Sequence, residues 1–324
     1  MKTTGTIRGP KTTLRTRPKP PIWAAALLLV VLTTPILTAQ TATVYHIPGI
    51  YYQEYTPESS YSESFDFTVA QQGSGALDFF VTVDGGDAGS FDPRYATASD
   101  GSQLRYYVYD NLNDRNILRS GTNLDSKEVI TGSFSSGQSY AQKTKSYAVF
   151  VPAGQYAANA TYEDELTFTV YTGTPDNYDP TTAVTESVPI TLAVPRSIAV
   201  RLNDPGGSFP GGNQTYSLDF GSLFDGETRE IDLLVNSTVN YYVAFSSNNS
   251  GAMSRTGGSA TVNYTMLVDG STVDLSSGYT EAISGESPTI SGPRAYRMKI
   301  TIGGVDGLPA GTYEDTVTID VVSQ

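Results

Sequence analysis

Three features of this sequence have residue types that could do chemistry: a single histidine, a loop rich in Asp and Asn, and many carboxylates. His46 is the only histidine, in the stretch "YHIPG", so a histidine-based triad or metal site has one candidate. The alternative is a strand histidine with a structural role. The carboxylates are numerous, but no spacing selects two of them as a glycosidase pair. The sequence therefore predicts that the protein is not an enzyme.

The stretch "DNLNDRN" at residues 110–116 has the composition of a calcium-binding loop. Its spacing does not fit such a loop, because Leu112 occupies a position that must supply an oxygen ligand and no glycine follows. The chain also has no cysteine, which excludes thiolate nucleophiles and Cys-ligated metal ions. We therefore expect no metal ion and no other cofactor.

Tyrosines are concentrated in "GIYYQEYTPESSY" at residues 49–61. They could form an aromatic binding strip, because tyrosine offers rigid, amphipathic contact area. The alternative is that they are strand residues with one half-buried face. We favour the second interpretation.

The first 39 residues differ from the rest of the chain. They contain six basic residues and no acidic residue, then an apolar run over residues 22–37, and they end in Thr38 and Ala39. This order is typical of a secretory signal peptide. The alternative is a membrane anchor, but the run is about 16 residues long and includes two threonines and a proline, whereas a full span needs about 20 apolar residues. We therefore expect residues 1–39 to be a signal peptide.

The remaining 285 residues are strongly acidic. The net charge of the whole chain is −13, and leaving out the six basic residues of the first 39 gives −19 for residues 40–324. An acidic chain without a basic cluster is not suited to bind nucleic acid or anionic lipid. Without cysteines, its stability must come from a buried core, and the length suffices for two domains.

The pattern of residues 40–324 is that of an all-β protein, in which short runs of Tyr, Phe, Val, Ile and Thr are separated by Gly, Asp, Asn, Ser and Pro. The runs also repeat. "TYEDELTFTV" (161–170) aligns without a gap with "TYEDTVTIDV" (312–321), and residues 62–86 and 104–111 parallel 227–249 and 262–270. We interpret this as a tandem duplication that produces two immunoglobulin-like β-sandwich domains, at residues 40–195 and 196–324.

The two copies differ at their ends. The first copy continues into "SVPITLAV" (187–194), where Pro189 falls on the outward phase, as an edge strand allows. The second copy stops soon after the strand that corresponds to residues 161–170. We expect the first domain to be completed by its own strand and the second to lack its final strand. The inward-facing residues of the self-completing strand are Val188, Ile190, Leu192 and Val194.

A sandwich without its final strand exposes an apolar groove and an unpaired backbone edge. A strand from another chain can fill such a groove, with main-chain hydrogen bonds providing affinity and alternate side chains filling pockets. We therefore predict a donor-strand groove in the second domain. Its candidate residues are Ile198, Val200, Leu202, Val317, Ile319 and Val321.

The second domain resembles a known family. "YSLDFGSLFDGETREIDLLVNSTVNYYVAF" (216–245) and "LPAGTYEDTVTIDVV" (308–322) resemble the spore coat protein U domain family, which includes subunits of archaic chaperone–usher pili. The matching points are "DFG" (219–221), "NYT" (263–265) and "AGTYED" (310–315). The first domain keeps "PAG" and "TYED" but lacks "DFG".

The resemblance implies incomplete immunoglobulin-like domains that are completed by donor-strand exchange, with a periplasmic chaperone, an outer-membrane usher and a neighbouring pilin as partners. About 21 residues separate Gln40 from the strand beginning near Tyr61, which leaves no room for a further donor strand. These features indicate a two-domain pilus-tip subunit, exported through the periplasm to the cell surface for adhesion and biofilm formation. The alternative is a structural spore-coat or cell-surface protein that uses the same groove without a receptor.

The receptor-facing loops should lie at the end of the first domain away from the second domain, because its closing strand ends where the second domain begins. Loops on a rigid scaffold often carry recognition. The alternative is that these residues serve only as turn formers. The sequence does not identify the receptor or surface. The candidate residues are Gln71, Gln72, Gly73, Ser74, Gly75, Thr174, Asp176, Asn177, Tyr178 and Asp179.

Overall fold

The computed structural model describes residues 40–324, so the predicted signal peptide lies outside the described residues. The fold is all-β, as the alternating pattern predicts, with two tandem sandwich domains and two short 3₁₀ helices, Pro180–Thr182 and Phe209–Gly211. Within residues 40–324, no helix has the length and apolar character needed to cross a membrane.

The first domain contains eleven strands. In chain order they are β1 (Thr41–Tyr45), β2 (Ile50–Tyr52), β3 (Tyr61–Gln72), β4 (Leu77–Val83), β5 (Arg94–Thr97), β6 (Gln103–Tyr109), β7 (Ile130–Phe134), β8 (Tyr140–Val151), β9 (Ala160–Thr174), β10 (Asn177–Tyr178) and β11 (Val184–Val194). One layer has the order β1-β3-β8-β6-β5, and the facing layer is built from β4, β7, β9, β11 and β2. The two layers join where Thr97 of β5 pairs with Glu163 of β9.

The second domain repeats this arrangement with ten strands. They are β12 (Ile198–Asn203), β13 (Thr228–Ser237), β14 (Tyr241–Ser247), β15 (Ala252–Arg255), β16 (Thr261–Val268), β17 (Ser271–Val273), β18 (Thr280–Glu286), β19 (Arg294–Ile302), β20 (Tyr313–Glu314) and β21 (Val317–Ser323). One layer has the order β12-β13-β19-β16-β15-β20, and the other has the order β18-β14-β21.

The strand pairings show that the two domains are copies of one topology. In the first domain Val83 of β4 lies opposite Phe168 of β9, and in the second Phe245 of β14 lies opposite Ile319 of β21. In the first domain the strand that contains "TYED" is continuous over residues 160–174. In the second domain the corresponding strand is interrupted between β20 and β21. Each domain buries its own apolar core, because one side chain in two along each strand points inward.

The closing strand of the first domain differs from the prediction in one respect. β11 pairs antiparallel with β9 along its whole length, with Val188, Ile190, Leu192 and Val194 buried. It is not an edge strand, however, because β2 pairs in parallel with its residues 190–192. Pro189 lies outside that short parallel ladder, so the missing N–H of proline leaves no gap in it.

The junction between the domains is held by hydrogen bonds. Asn159 donates its N–H to the carbonyl oxygen of Thr238 (2.7 Å) and its side-chain amide to that of Val194 (2.7 Å). The hydroxyl of Thr238 donates to the carbonyl oxygen of Pro195, which lies between β11 and β12 (2.8 Å). The chain therefore passes from one domain to the other through a fixed segment.

Candidate functional site

The last strand of the second domain is paired on one side only within the described chain. β21 is an end strand of its sheet and pairs with β14. Gln324 donates its N–H to Asn240, and Asn248 donates its N–H to Thr316, so the even-numbered residues bond toward β14. Because bonding direction alternates along an antiparallel strand, the backbone groups of residues 317, 319 and 321 point to the free side.

The first strand of the second domain has a free edge as well. β12 pairs with β13 alone, and its Ile198, Val200 and Leu202 side chains are half-buried against the core. Leu202 exchanges both of its backbone hydrogen bonds with Asn213 (2.6 and 2.9 Å), on the side away from β13. Two apolar strands with free edges, β12 and β21, therefore border the same core.

A cavity of about 720 Å³ opens between these two edges. It is lined by Leu202, by residues 311–317 and by Ile319. The predicted groove residues Ile198, Val200 and Val321 are not among its lining residues. At the other end of the groove β12 and β21 are in contact, and Arg196 donates to the carbonyl oxygen of Gln324 (3.4 Å). The floor is apolar apart from the hydroxyl of a tyrosine, and its residues are Ile231, Met253, Tyr264, Met266, Met298 and Ile300.

The first domain has a strand at the place that corresponds to this cavity. There, Leu166, Asp164 and Tyr162 of β9 lie opposite residues of β11, namely Val188, Ile190 and Leu192. The gapless alignment of the two repeats places Val317, Asp315 and Tyr313 at the corresponding positions of the second domain, and all three line the cavity. The cavity thus occupies the place that three buried side chains of β11 fill in the first domain.

A hydrogen-bonded tyrosine–aspartate pair lies next to this place in each domain. In the first, Tyr106 donates to Asp164 (2.5 Å), which also accepts the N–H of Asp87 (2.7 Å). Burial raises the pKa of the Asp164 carboxyl above its ordinary value, and these hydrogen bonds offset only part of that rise. In the second, burial and then the hydrogen bond to Asp315 raise the pKa of Tyr264, so this hydroxyl remains a donor.

The predicted receptor-facing residues lie together at the outer end of the first domain. Phe79 of β4 pairs with Thr172 of β9, so the turn before β4 and the turn after β9 are neighbours. Six of the ten candidates are exposed, namely Gln72, Ser74, Thr174, Asp176, Asn177 and Asp179.

Five of the ten candidates lie in strands rather than in loops, namely Gln71 and Gln72 in β3, Thr174 in β9, and Asn177 and Tyr178 in β10. Two of them, Gln71 and Tyr178, also do not project into solvent. Gln71 is not in a loop: it lies in β3, is fully buried, and donates its amide to the carbonyl oxygens of Gly73 and Gly75. A residue in that position cannot contact a receptor. Tyr178 is not a projecting aromatic, because its ring packs edge-on against Phe80 and Tyr171 with centroids 5.0 Å apart.

Sequence reasoning missed two lysines near the same end. Lys143 and Lys145 lie in the phase of β8 that includes the buried Tyr147, and they extend over the rings of Phe134 and Phe79 (5.8 and 5.9 Å). Neither takes part in the ion pairs found among residues 40–324. Burial and the neighbouring Lys143 lower the pKa of Lys145. The sequence signal that could have identified them is a charged residue at a strand position that alternates in phase with buried residues such as Tyr147.

The other chemical candidates are the loop at residues 110–116 and His46. Asp110 accepts hydrogen bonds from Asn111 and Asn116 within its own loop, and residues 40–324 contain no cluster of His, Cys, Asp or Glu that could hold a metal ion. His46 is not a strand residue, as it follows β1 in a left-handed conformation and is exposed.

The tyrosine-rich stretch is divided between the core and the surface. Tyr55 is buried and donates its hydroxyl to the carbonyl oxygen of Pro152 (2.9 Å). Tyr52 stacks on Tyr61, and Tyr51 is exposed. These tyrosines therefore do not form one continuous strip.

Comparisons with known proteins give distant structural neighbours. No family model matches the sequence, and no curated protein matches it. Similar solved structures include the CsuC–CsuE chaperone–tip adhesion subunit pre-assembly complex from archaic chaperone–usher Csu pili of Acinetobacter baumannii (15% identity, TM-score 0.40, 87% of this chain and 99% of that chain). They also include the CupB6 tip adhesin from Pseudomonas aeruginosa (11%, TM-score 0.36, 86% and 93%) and a chaperone–tip adhesin complex of CFA/I fimbriae biogenesis (13%, TM-score 0.33, 86% and 98%). These identities and TM-scores are low, so function has to be inferred from the geometry of the chain itself.

Proposed function

We propose that this protein is the tip subunit of a chaperone–usher pilus and that a strand donated by a neighbouring subunit fills the groove of its second domain. One observation carries the proposal. The cavity between β12 and β21 lies where Val188, Ile190 and Leu192 of β11 lie in the first domain. Within residues 40–324, the same topology is therefore present once with a closing strand and once without one.

The geometry of the groove defines the occupant. It is a strand that runs antiparallel to β21, as β11 runs antiparallel to β9. Its backbone bonds to the free groups of residues 317, 319 and 321, and its alternate side chains are apolar to match the floor. An apolar groove beside an unpaired strand edge aggregates when it is left open, so a periplasmic chaperone covers it until the usher assembles the pilus.

The first domain carries the adhesive function in this proposal. Its outer end lies at the ends of β9 and β11 that are away from the junction at Asn159, and it presents the exposed residues Ser74, Asp176, Asn177 and Asp179. Residues 1–39 direct export, and the protein reaches the cell surface, where adhesion supports biofilm formation. The absence of cysteine suits this route, because folding then needs no disulfide in the periplasm.

The proposal is tested by supplying the strand within the chain. The residues "SVPITLAV" (187–194) are appended after Gln324 through a flexible linker of about 10–16 residues, whose length adds only about 0.6 kcal/mol per doubling. We expect residues 40–324 to be soluble and to melt cooperatively with this strand, and to aggregate without it. Solubility and thermal unfolding are the measurements.

The matched control carries the same eight residues in an order that breaks their alternation, so that no register turns all four apolar side chains inward. It has the same composition and linker, so it separates strand insertion from a general effect of added residues. Equal solubility and equal melting temperature for the two versions would rule out a strand-binding groove.

A further inference from the structure

The outer segment of β8, residues 140–147, has a free backbone edge in the first domain. β3 pairs with β8 along residues 140–151, whereas β6 pairs with residues 148–150 alone. Beyond Tyr109 the chain turns away from β8, because Asp110 accepts the N–H groups of Asn111 and Asn116. Within the described chain, no other strand or loop forms backbone hydrogen bonds with residues 140–147 on the side away from β3.

The unpaired backbone groups of this edge belong to even-numbered residues. Gly73 donates its N–H to the carbonyl oxygen of Ser139 (3.0 Å), so the odd-numbered residues of β8 bond toward β3. The N–H and C=O groups of Gln142, Thr144 and Ser146 therefore point to the free side. All three residues are exposed, so no part of the described chain covers the edge.

Two lysines lie between these free positions, in the phase of β8 that includes the buried Tyr147. Neither Lys143 nor Lys145 has a carboxylate partner among the ion pairs of residues 40–324, although this part of the chain is strongly acidic. Lys145 lies across Gly132 of β7, where a Cβ atom would be 2.9 Å from the lysine Cε. The glycine thus leaves the space that the lysine side chain occupies.

The facing layer is also open at this end. β7 pairs with β4 alone, so one of its edges is free within residues 40–324. The two ammonium groups lie over aromatic rings of this layer, Lys143 over Phe134 of β7 and Lys145 over Phe79 of β4. A strand placed beside β8 would therefore meet two unpaired positive charges on its inner side.

We propose that the outer segment of β8 binds an extended segment of another polypeptide that carries carboxylate side chains at alternate positions. The bound segment continues the line of β6 and runs antiparallel to β8, as β6 does. Its backbone bonds to the free groups of Gln142, Thr144 and Ser146, and its carboxylates lie opposite Lys143 and Lys145. These are the non-hydrogen-bonded positions, where side chains of paired strands are closest.

The same lysines exclude an apolar strand from this edge. Such a strand would cover two ammonium groups without supplying a counter-ion, which is unfavourable. Charged side chains that point inward are a known means of preventing edge strands from pairing indiscriminately. The edge therefore differs in specificity from the apolar groove of the second domain, and the inference does not depend on what fills that groove.

Amide hydrogen exchange measured by NMR tests both the free edge and its occupation. The sample is residues 40–324 with or without the appended strand, whichever form is monodisperse. In the free protein, the even-numbered amides of residues 142–146 should exchange at least about 100-fold faster than the odd-numbered amides of residues 141–145. A peptide of about eight residues that alternates glutamate with threonine, at about ten times its Kd, should slow the even-numbered amides about tenfold.

Two control peptides separate strand pairing from attraction of charge. Replacing each glutamate with glutamine keeps the backbone and removes the charge, and it should weaken binding at least about 5-fold. Methylating the backbone nitrogens that face β8 keeps the charge and removes hydrogen bonds, and it should abolish protection of the even-numbered amides. Equal binding of the methylated and unmethylated peptides would show a site for anions in general and would overturn the bound strand.

Matched variants of the protein test the role of the two lysines. Lys143→Gln combined with Lys145→Gln should weaken binding of the glutamate peptide at least about 5-fold, and Lys127→Gln, at another exposed lysine, should leave it unchanged. Replacing both lysines with glutamate should reverse the preference, so that a peptide alternating lysine with threonine binds instead. Persistent slow exchange of the odd-numbered amides shows that each variant is folded.

Two further results would overturn the inference. One is the absence of any protection of residues 142–146 by the glutamate peptide at millimolar concentration. If Lys143→Val combined with Lys145→Val then self-associates in sedimentation experiments, the lysines only keep the edge unpaired. The other is equal binding of the glutamate peptide to the parent and to the double glutamine variant, because the lysines would then not select the partner.

Discussion

Tyr264 donates a 2.5 Å hydrogen bond to Asp315 on the wall of the open groove, and Tyr106 donates a bond of the same length to Asp164 in the first domain. The two pairs correspond because each tyrosine lies in one recurring block of the sequence and each aspartate lies in "TYED". Their surroundings differ. Asp164 lies opposite Ile190 of the closing strand and is 5% exposed, whereas Asp315 lines the cavity.

Removing the two hydroxyls should therefore have unequal effects. Tyr106→Phe takes a donor from a carboxylate that is covered by the closing strand, and we expect a loss of about 2–3 kcal/mol in the free energy of unfolding. Tyr264→Phe should cost about 1 kcal/mol, because the same oxygen of Asp315 keeps the hydroxyl of Ser247 as a donor (2.6 Å) even when a strand fills the groove. Denaturant unfolding of the self-completed protein measures both, and equal losses would contradict this difference in the remaining donors.

The pH dependence of stability should report the burial of Asp164. Burial raises the pKa of this carboxyl above the value of about 3.9 expected in the unfolded chain. At pH values between the unfolded-state and the folded-state pKa, the carboxyl is therefore protonated in the folded state and ionised in the unfolded state. The stabilising effect of that proton is lost as pH rises through the folded-state pKa. The stability of Asp164→Asn relative to the parent should therefore increase as pH is raised from about 3 to about 7.

Asp100 is a control for which the pH dependence of stability should have the opposite sign. Hydrogen bonds from the hydroxyl and N–H of Ser102 lower its pKa, so the stability it contributes is present above the unfolded-state pKa and is lost as pH falls. Asp100→Asn should become less stable relative to the parent as pH rises. Chemical denaturation at several pH values measures both slopes, and slopes of the same sign would count against these assignments.

The first domain should depend on its closing strand. Residues 40–195 contain β11 and should fold, whereas residues 40–186 lack four buried side chains worth about 1.5–3 kcal/mol each. That loss exceeds half of a typical domain stability of about 5–15 kcal/mol. It also leaves β2 without its partner. We expect the shorter fragment to be unfolded by circular dichroism, and an unchanged melting temperature would show that β11 is not required.

The charge of Lys145, which is half-buried at the outer end, should cost stability. Burial and Lys143 lower the pKa of Lys145, so its charged form is disfavoured in the folded state. Lys145→Met keeps most of the side-chain contact with Phe79 and removes the charge, and we expect a gain of about 0.5 kcal/mol in the free energy of unfolding. Lys127→Met, at an exposed position, is the control and should leave the free energy unchanged. A loss for Lys145→Met would mean that the charge has a favourable partner.

The parts of the fold that follow from local alternation were predictable from the sequence. The all-β class and the two tandem sandwiches are confirmed, and β11 and β21 form where "SVPITLAV" and "TVTIDVV" alternate. In each of these stretches the side-chain period alone identifies the buried face. The proposed functional site did not follow from alternation in the same way. The strands that border the groove form where they were predicted, but the binding role of their residues remains a prediction.

The features that sequence reasoning missed depend on distant partners. The tyrosine-rich stretch was interpreted as strand residues, but the pairing of β2 with β11 was not predicted. β2 is three residues long, and β11 lies about 140 residues further along the chain. Gln71 looked like part of a Gly- and Ser-rich loop. It is buried because β3 extends to Gln72 to pair with β8, and the carbonyl oxygens of the following turn bind its amide. Both effects come from tertiary pairing rather than from local preference.

The fixed junction between the domains also determines how the molecule bears a pulling force. Tension between the outer end of the first domain and the second domain enters β11 at Val194, which Asn159 and Pro195 hold in place. It is then directed along β11, whose eleven residues all pair with β9. Hydrogen bonds perpendicular to the strands are loaded in shear under this geometry, so they must break together rather than one after another. The strand that closes the first domain is thereby also its mechanical tether.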